Sequence, residues 1–210
     1  MSQKKNKVKF GLNKVHYAKI TGWSADDVPT FAPPVRIPGA VSLSMDVNGE
    51  NENFFADNSV YYGYPSMKES YYVINNNAGY TGDLEIALIP TDFSTDILGE
   101  VLDTKGVLVE KNDAEPQQFA LLFEFEGDKH KIRHVMYCCS ASRPKTESST
   151  KEESTEVKTE TLSLKATALP DGLVKSKTCE STDETTYNNW YKSVYIPTFA
   201  ASTTTTTKTS

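Results

Sequence analysis

By residue type, His130, His134 and Cys138 are the best candidates to hold a metal ion, and they recur at four-residue intervals. On a helix this spacing would bring all three to one ion. The surrounding HKIRHVMYCCSAS is strand-like, and four residues of strand span about 13 Å at about 3.3 Å per residue. Ligands of one zinc ion lie within about 4 Å of each other. The three residues are therefore expected along one face of a strand, and neither a metal nor another cofactor is expected. Nucleophilic catalysis has no better footing, since the chain lacks G-x-S-x-G and has no cysteine flanked by glycines. The phosphate cradles G-x-x-x-x-G-K-[ST] and G-x-G-x-x-G are absent too. Asp plus Glu number 28, but paired acids do glycosidase chemistry only in a cleft, and nothing in the sequence points to one. No catalytic residue is assigned, and the chain is expected not to be an enzyme. Its cysteines, Cys138, Cys139 and Cys179, are expected to be reduced and buried, because neighbours in a strand point apart and cannot easily bridge.

The elements that would position any such group are mostly strands. GAVSLSMD alternates Val41, Leu43 and Met45 against Ser42, Ser44 and Asp46. GYTGDLEIALIP sets Leu84, Ile86 and Leu88 against Asp83, Glu85 and Ala87. FALLFEFEG sets Phe119, Leu121, Phe123 and Phe125 against Ala120, Leu122, Glu124 and Glu126. Period-two alternation of this kind predicts half-buried strands whose first-named sets form the core. A hairpin is expected across 119–142, turning near Gly127. Helical spacing of Phe93, Ile97, Leu98 and Val101 after Pro90 predicts a short helix that Gly99 could end early. A helical turn is also expected around Tyr187–Trp190, behind a run of capping residues. Long loops are expected at 23–39, 62–80 and 142–154. The fold class that follows is all-β, or β-rich α+β: an antiparallel sandwich or barrel with one flanking short helix. Residues 1–196 form its single domain, and the Thr-rich 197–210 is expected to be disordered.

One segment divides in two. In ESTEVKTETLSLKA, the residues Glu156, Lys158, Glu160, Leu162, Leu164 and Ala166 share one strand face. The first three are charged. Leu162 and Leu164 belong to the core. A second unusual feature is an aromatic cluster: Phe54, Phe55, Tyr61, Tyr62, Tyr64, Tyr71 and Tyr72. Tyrosines on an excursion either pack on their own domain or fill a partner's pocket. The net charge of −6 makes the chain a poor static binder of nucleic acid. No run approaches the roughly 18 apolar residues of a membrane-spanning helix, and no apolar run follows the basic Lys4, Lys5, Lys7 and Lys9. Neither a membrane anchor nor a signal peptide is expected.

Several segments together resemble one family: KVKFGLNKVHYA (7–18), PGAVSLSMDVNGENENFFADNSVYY (38–62), NNAGYTGDLEIALIPTDFSTDILGE (76–100), AEPQQFALLFEFEGDKHKIRHVMYCCSASRP (114–144) and TKEESTEVKTETLSLKA (150–166). In this order they look like the major tail protein, or tail tube protein, of long-tailed bacteriophages with non-contractile tails, in the group infecting Gram-positive bacteria. The resemblance implies a structural subunit that forms hexameric rings. The rings stack into a hollow tube that conducts genomic DNA during ejection. It implies a virion location after synthesis in the host bacterial cytoplasm. It also implies contacts with the tape measure, tail terminator and distal tail proteins, and passage of DNA without specific binding. On this view Glu156, Lys158 and Glu160 are candidates to face the lumen, and the aromatic cluster to make contacts between subunits or rings. The alternative is a monomeric β-sandwich that binds carbohydrate or decorates a capsid surface. It shares the same composition and the same tyrosines.

Overall fold

The computed structural model describes residues 9–49, 51–55, 70–75, 77–127, 129–146 and 158–199. The strands are β1 (Lys9–Trp23), β2 (Pro29–Phe31), β3 (Val35–Arg36), β4 (Ala40–Val47), β5 (Asn51–Phe55), β6 (Ser70–Asn75), β7 (Tyr80–Ile86), β8 (Val101–Leu102), β9 (Leu108–Val109), β10 (Phe119–Gly127), β11 (Ile132–Ala141), β12 (Glu160–Thr167) and β13 (Lys175–Lys177). The principal sheet runs β2-β1-β10-β11-β12-β7-β4, with β3 also on β1 and β13 also on β11. Its ladders are antiparallel. β5 pairs with β6, and β8 with β9, as separate two-stranded ladders. Although β1 and β4 lie near opposite ends of the order, they come back into contact, so the sheet curls around its first face.

That first face encloses the larger core. Val15, Tyr17, Leu84, Ile86, Phe119, Leu121, Phe123, Leu162 and Leu164 are buried there, with Phe125 half-buried at its rim. Each large apolar side chain moved out of water this way contributes about 1.5–3 kcal/mol. A short helical segment closes this core: α1 (Thr91–Phe93) continues as a wider π turn over Ser94–Leu98. Phe93 sits edge-on between Tyr17 and Phe119, at centroid distances of 5.1 and 5.5 Å. The Tyr17 hydroxyl donates to Asp96 at 2.8 Å, and burial first, then that bond, pushes the phenol above its ordinary range. Gly99 ends the segment with φ +79°, in the left-handed region that glycine enters without strain.

Several expectations need correction. Leu88 is not core: β7 ends at Ile86, and beyond the ladder Leu88 turns out to 70% exposure. Val101 leaves the helical face because Gly99 stops the helix, and it opens β8 at 48% exposure. Val41 falls in a register irregularity between Ala40 and Ser42, which turns it to solvent while Leu43 and Met45 stay packed on the core. The expected loop 23–39 contains β2 and β3, and the expected loop 62–80 contains β6; in each case the backbone groups are taken up by a neighbouring ladder. The helical turn expected around Tyr187–Trp190 is α2 (Glu184–Asn189), which starts three residues earlier and is capped by the Asp183 carboxylate on the Thr186 N–H. Cys179 is exposed, unlike Cys138 and Cys139.

β10 and β11 are covered on both faces. Ala18, Ile20, Ala120, Leu122, Val135 and Tyr137 form a second core with Leu169 and Trp190 from the C-terminal segment. The expected half-buried strand is therefore a fully buried one, because a part of the chain far away in sequence lies across it. His134 and Cys138 do not share a face either. In the β10–β11 ladder, Phe119 faces Cys139 but Leu121 faces Met136, so two residues of β11 oppose Ala120. Such a bulge reverses the alternation that follows it. His134 stacks on Phe123 at 5.0 Å, while Cys138 joins the second core.

Candidate functional site

Among the described residues nothing packs on the second face of β4, β7 and β12, whose side chains are largely exposed. Their registers place nine side chains in three rows: Ser42, Glu85 and Thr161; Ser44, Asp83 and Ser163; Asp46, Thr81 and Lys165. These are the polar partners of the alternation that buries Leu84, Ile86, Leu162 and Leu164 on the other side. Hydroxyl groups tie the rows together. Ser42 Oγ donates to Glu85 Oε2 at 2.9 Å and Thr159 Oγ1 donates to Glu85 Oε1 at 2.5 Å. Ser163 Oγ donates to Asp83 Oδ1 at 2.8 Å. The Thr159 bond first, then the Ser42 bond, holds the Glu85 carboxyl below its ordinary range. A shallow recess of about 450 Å³ lies among Asp46, Thr81, Asp83, Ser142, Ser163 and Lys165.

Gly82 lets the β4 backbone close onto β7 here. A Cβ at that position would lie 1.9 Å from the Ser44 carbonyl oxygen. The face that results is hydroxyl-rich and acidic, its paired rows holding Asp46, Asp83 and Glu85 against Lys165. Ser42 and Ser163 donate to carboxylates, and the described residues lining the recess include no histidine. The arrangement presents fixed carboxylates and hydroxyls to solvent.

The remainder of the second face carries a contrasting group. Glu124 is fully buried. Arg133 Nε donates to its Oε2 at 3.0 Å, with Lys131 Nζ 3.5 Å from Oε1 and Lys14 Nζ 3.8 Å from Oε2. Arg133 also stacks on the Tyr187 ring at 3.7 Å and donates to the Tyr187 carbonyl. The Tyr187 hydroxyl donates back to the Lys131 carbonyl at 3.1 Å. This ion cluster fastens α2 to the sheet, and Trp190 Nε1, donating to the His134 carbonyl at 3.3 Å, fastens the following turn.

No protein-family model matches the chain, and no curated protein matches it in sequence. One solved structure that the chain matches is the anti-feeding prophage cap, described as a tube terminating cap. It matches at 10% identity and a TM-score of 0.39, covering 85% of this chain and 97% of that one.

The residues singled out from the sequence are dispersed. Glu160 lies on the core side of β12, at the strand's start, and its carboxylate accepts the Ile89 N–H at 2.6 Å. It ties down the chain after β7 and adds nothing to the acidic face. Lys158 is exposed just before the strand, and Glu156 lies outside the described residues. Buried apolar packing on this strand begins at Leu162. Among the aromatics, Phe54 and Tyr72 are register partners in the β5–β6 ladder, with Phe55 and Tyr71 in the same strands. Tyr61, Tyr62 and Tyr64 lie outside the described residues. The acidic face did have a sequence signal: Ser42, Ser44, Asp46, Asp83 and Glu85 are the polar halves of two alternating strands. What was missing was the pairing that lays those halves side by side.

Proposed function

We propose that this chain is the structural subunit of a phage tail tube, without catalytic activity, and that it assembles into hexameric rings stacked around a lumen that conducts DNA. The carrying observation is the face of β4, β7 and β12 on which no described residue packs. A DNA conduit must not retain its cargo, and clustered Lys and Arg would bind phosphate and slow its passage. A hydroxyl-paved face with three carboxylates and one ammonium repels phosphate weakly and offers it no anchor. The lumen face proposed is that of Asp46, Asp83 and Glu85, which Glu160, on the core side of β12, does not join.

Among the described residues β4 pairs on one side only, with β7, and so leaves an open sheet edge. An open edge is a liability in a monomer and is resolved when copies join head to tail until a ring closes. The tape measure, terminator and distal tail proteins would cap or fill such a tube in the virion. Electron microscopy and sedimentation of the purified, concentrated protein test the proposal. Rings or tubes are the expected result. A persistent monomer would overturn it in favour of a binding or decoration module.

A further inference from the structure

Between the helical segment and β10 the chain makes an excursion that the principal sheet does not absorb. Residues 101–113 are exposed throughout, and within them β8 and β9 form a two-stranded hairpin of their own. Its turn is firmly held. Asp103 Oδ1 accepts the Lys105 N–H at 2.8 Å and the Val107 N–H at 2.7 Å, and the Asp103 N–H donates to the Val107 carbonyl at 2.9 Å. The base is fastened as well. Glu110 pairs with Arg143 at 2.8 Å, and the Gln117 N–H donates to the Ile97 carbonyl at 2.8 Å.

What the hairpin lacks is a core. Register partners in a ladder share one side, and their neighbours take the other. Val101 and Val109 therefore make one side apolar, and Leu102 and Leu108 the other. With Val107 these side chains are 37–55% exposed, and none joins either core. An isolated two-stranded hairpin is marginal in water. An ordered one that is apolar on both sides marks a docking element.

Charge selects what it docks on. The excursion carries Asp103, Glu110, Asp113 and Glu115 against Lys105 and Lys111. The two ends of the principal sheet differ in sign. At the β4 end, Asp46, Asp83 and Glu85 would meet the excursion with like charge. At the other end, β1 and β3 carry Lys19 and Arg36, besides the Lys14 that lies on Glu124. Between residues 9 and 45 the only carboxylates are Asp26 and Asp27, in the turn from β1 to β2. Trp23, Val28 and Val35 are exposed at this end, and among the described residues β2 and β3 pair only with β1. Apolar surface and positive charge thus occur together there.

We propose that the hairpin 101–109 of one copy docks on the β1 end of the sheet, over β2 and β3, of a second copy of this chain. The two surfaces differ, so the contact is head to tail, and contacts of that kind close rings. The inference rests on the self-assembly proposed above and adds which two surfaces meet.

Sedimentation at low and high salt tests it, with thermal unfolding as the control for folding. Leu102→Thr with Val107→Thr should weaken association about tenfold or more and leave the unfolding midpoint unchanged, since neither side chain belongs to a core. Asp113→Lys with Glu115→Lys should weaken association several-fold at low salt and less at high salt. Lys19→Glu with Arg36→Glu should do the same. All four charge changes in one chain should restore association, because the two surfaces have then exchanged sign. A combined variant that fails to recover would overturn the β1 end as the docking surface. Apolar variants that assemble like wild type, or whose midpoint falls, would overturn the docking role of the hairpin and leave the tube proposal standing. A wild type that never assembles would overturn both.

Discussion

Glu85 and Glu124 project from the same side of one sheet, yet they live in opposite environments. Glu85 stands on the open part of the face and is held by two hydroxyl groups. Glu124 lies under the C-terminal segment with no exposed surface, ringed by Arg133, Lys131 and Lys14. The difference is coverage. Where residues 169–196 cross the sheet, water is excluded and a carboxylate must be matched by cations and hydrogen bonds. Where no described residue crosses it, solvent screens the charge and neutral hydroxyls are enough. One part of the face thereby serves stability, and the other stays available as a surface.

The comparison is most severely tested at Arg133. Arg133→Met leaves Glu124 buried beside fewer cations and should cost about 3–5 kcal/mol in urea unfolding. Combining it with Glu124→Leu should recover most of that loss, because the uncompensated charge is gone. A double variant as unstable as the single one would mean that the pair matters for packing rather than charge.

The cover itself comes next. Trp190→Ala removes the largest apolar contact of the C-terminal segment and should cost roughly 3 kcal/mol. Hydrogen exchange should then speed up in β13 and at the second face of β11, while β4, β7 and β12 keep their protection. Uniform acceleration across all of them would show that the covered and open parts are one cooperative unit.

On the open part, Asp83→Lys with Glu85→Lys should lower the unfolding midpoint only slightly, since Asp83 is exposed and Glu85 loses two hydroxyl bonds at a half-exposed site. The same change should create measurable, salt-sensitive affinity for duplex DNA, read by fluorescence anisotropy. Unchanged DNA affinity would remove the argument for this face as a conduit wall.

The smallest effect is in the pH profile. Because Glu85 titrates below its ordinary value of 4.5 when folded, its hydroxyl bonds contribute above the unfolded value and are lost as pH falls through the folded one. Ser42→Ala with Thr159→Val should raise the Glu85 pKa toward the ordinary value, observed by NMR titration, and flatten the acid side of the stability profile. An unmoved pKa would show that the two hydroxyls do not hold the carboxylate in solution.

The legible part of this molecule was the alternation. Leu84, Ile86, Phe119, Leu121, Leu162 and Leu164 announce their strands and their core side, because a strand's side chains change face at every residue. The helix ending at Gly99 and the start of apolar packing at Leu162 were readable for equally local reasons. Leu88 and Val101 were misplaced because a periodic pattern does not state where its element stops. His134 and Cys138 were misplaced because a bulge reverses faces, and a bulge depends on the partner strand.

The sequence by itself therefore determined a β-rich chain with one apolar and one polar side to most of its strands. Only the tertiary structure decided which polar sides stay open. The order β11-β12-β7-β4 gathers Ser42, Asp83, Glu85 and Ser163 onto a common surface from segments more than a hundred residues apart in the chain. The path of the C-terminal segment closes the face next to it over Glu124. Both depend on contacts between residues distant in sequence, and no local pattern encodes such contacts.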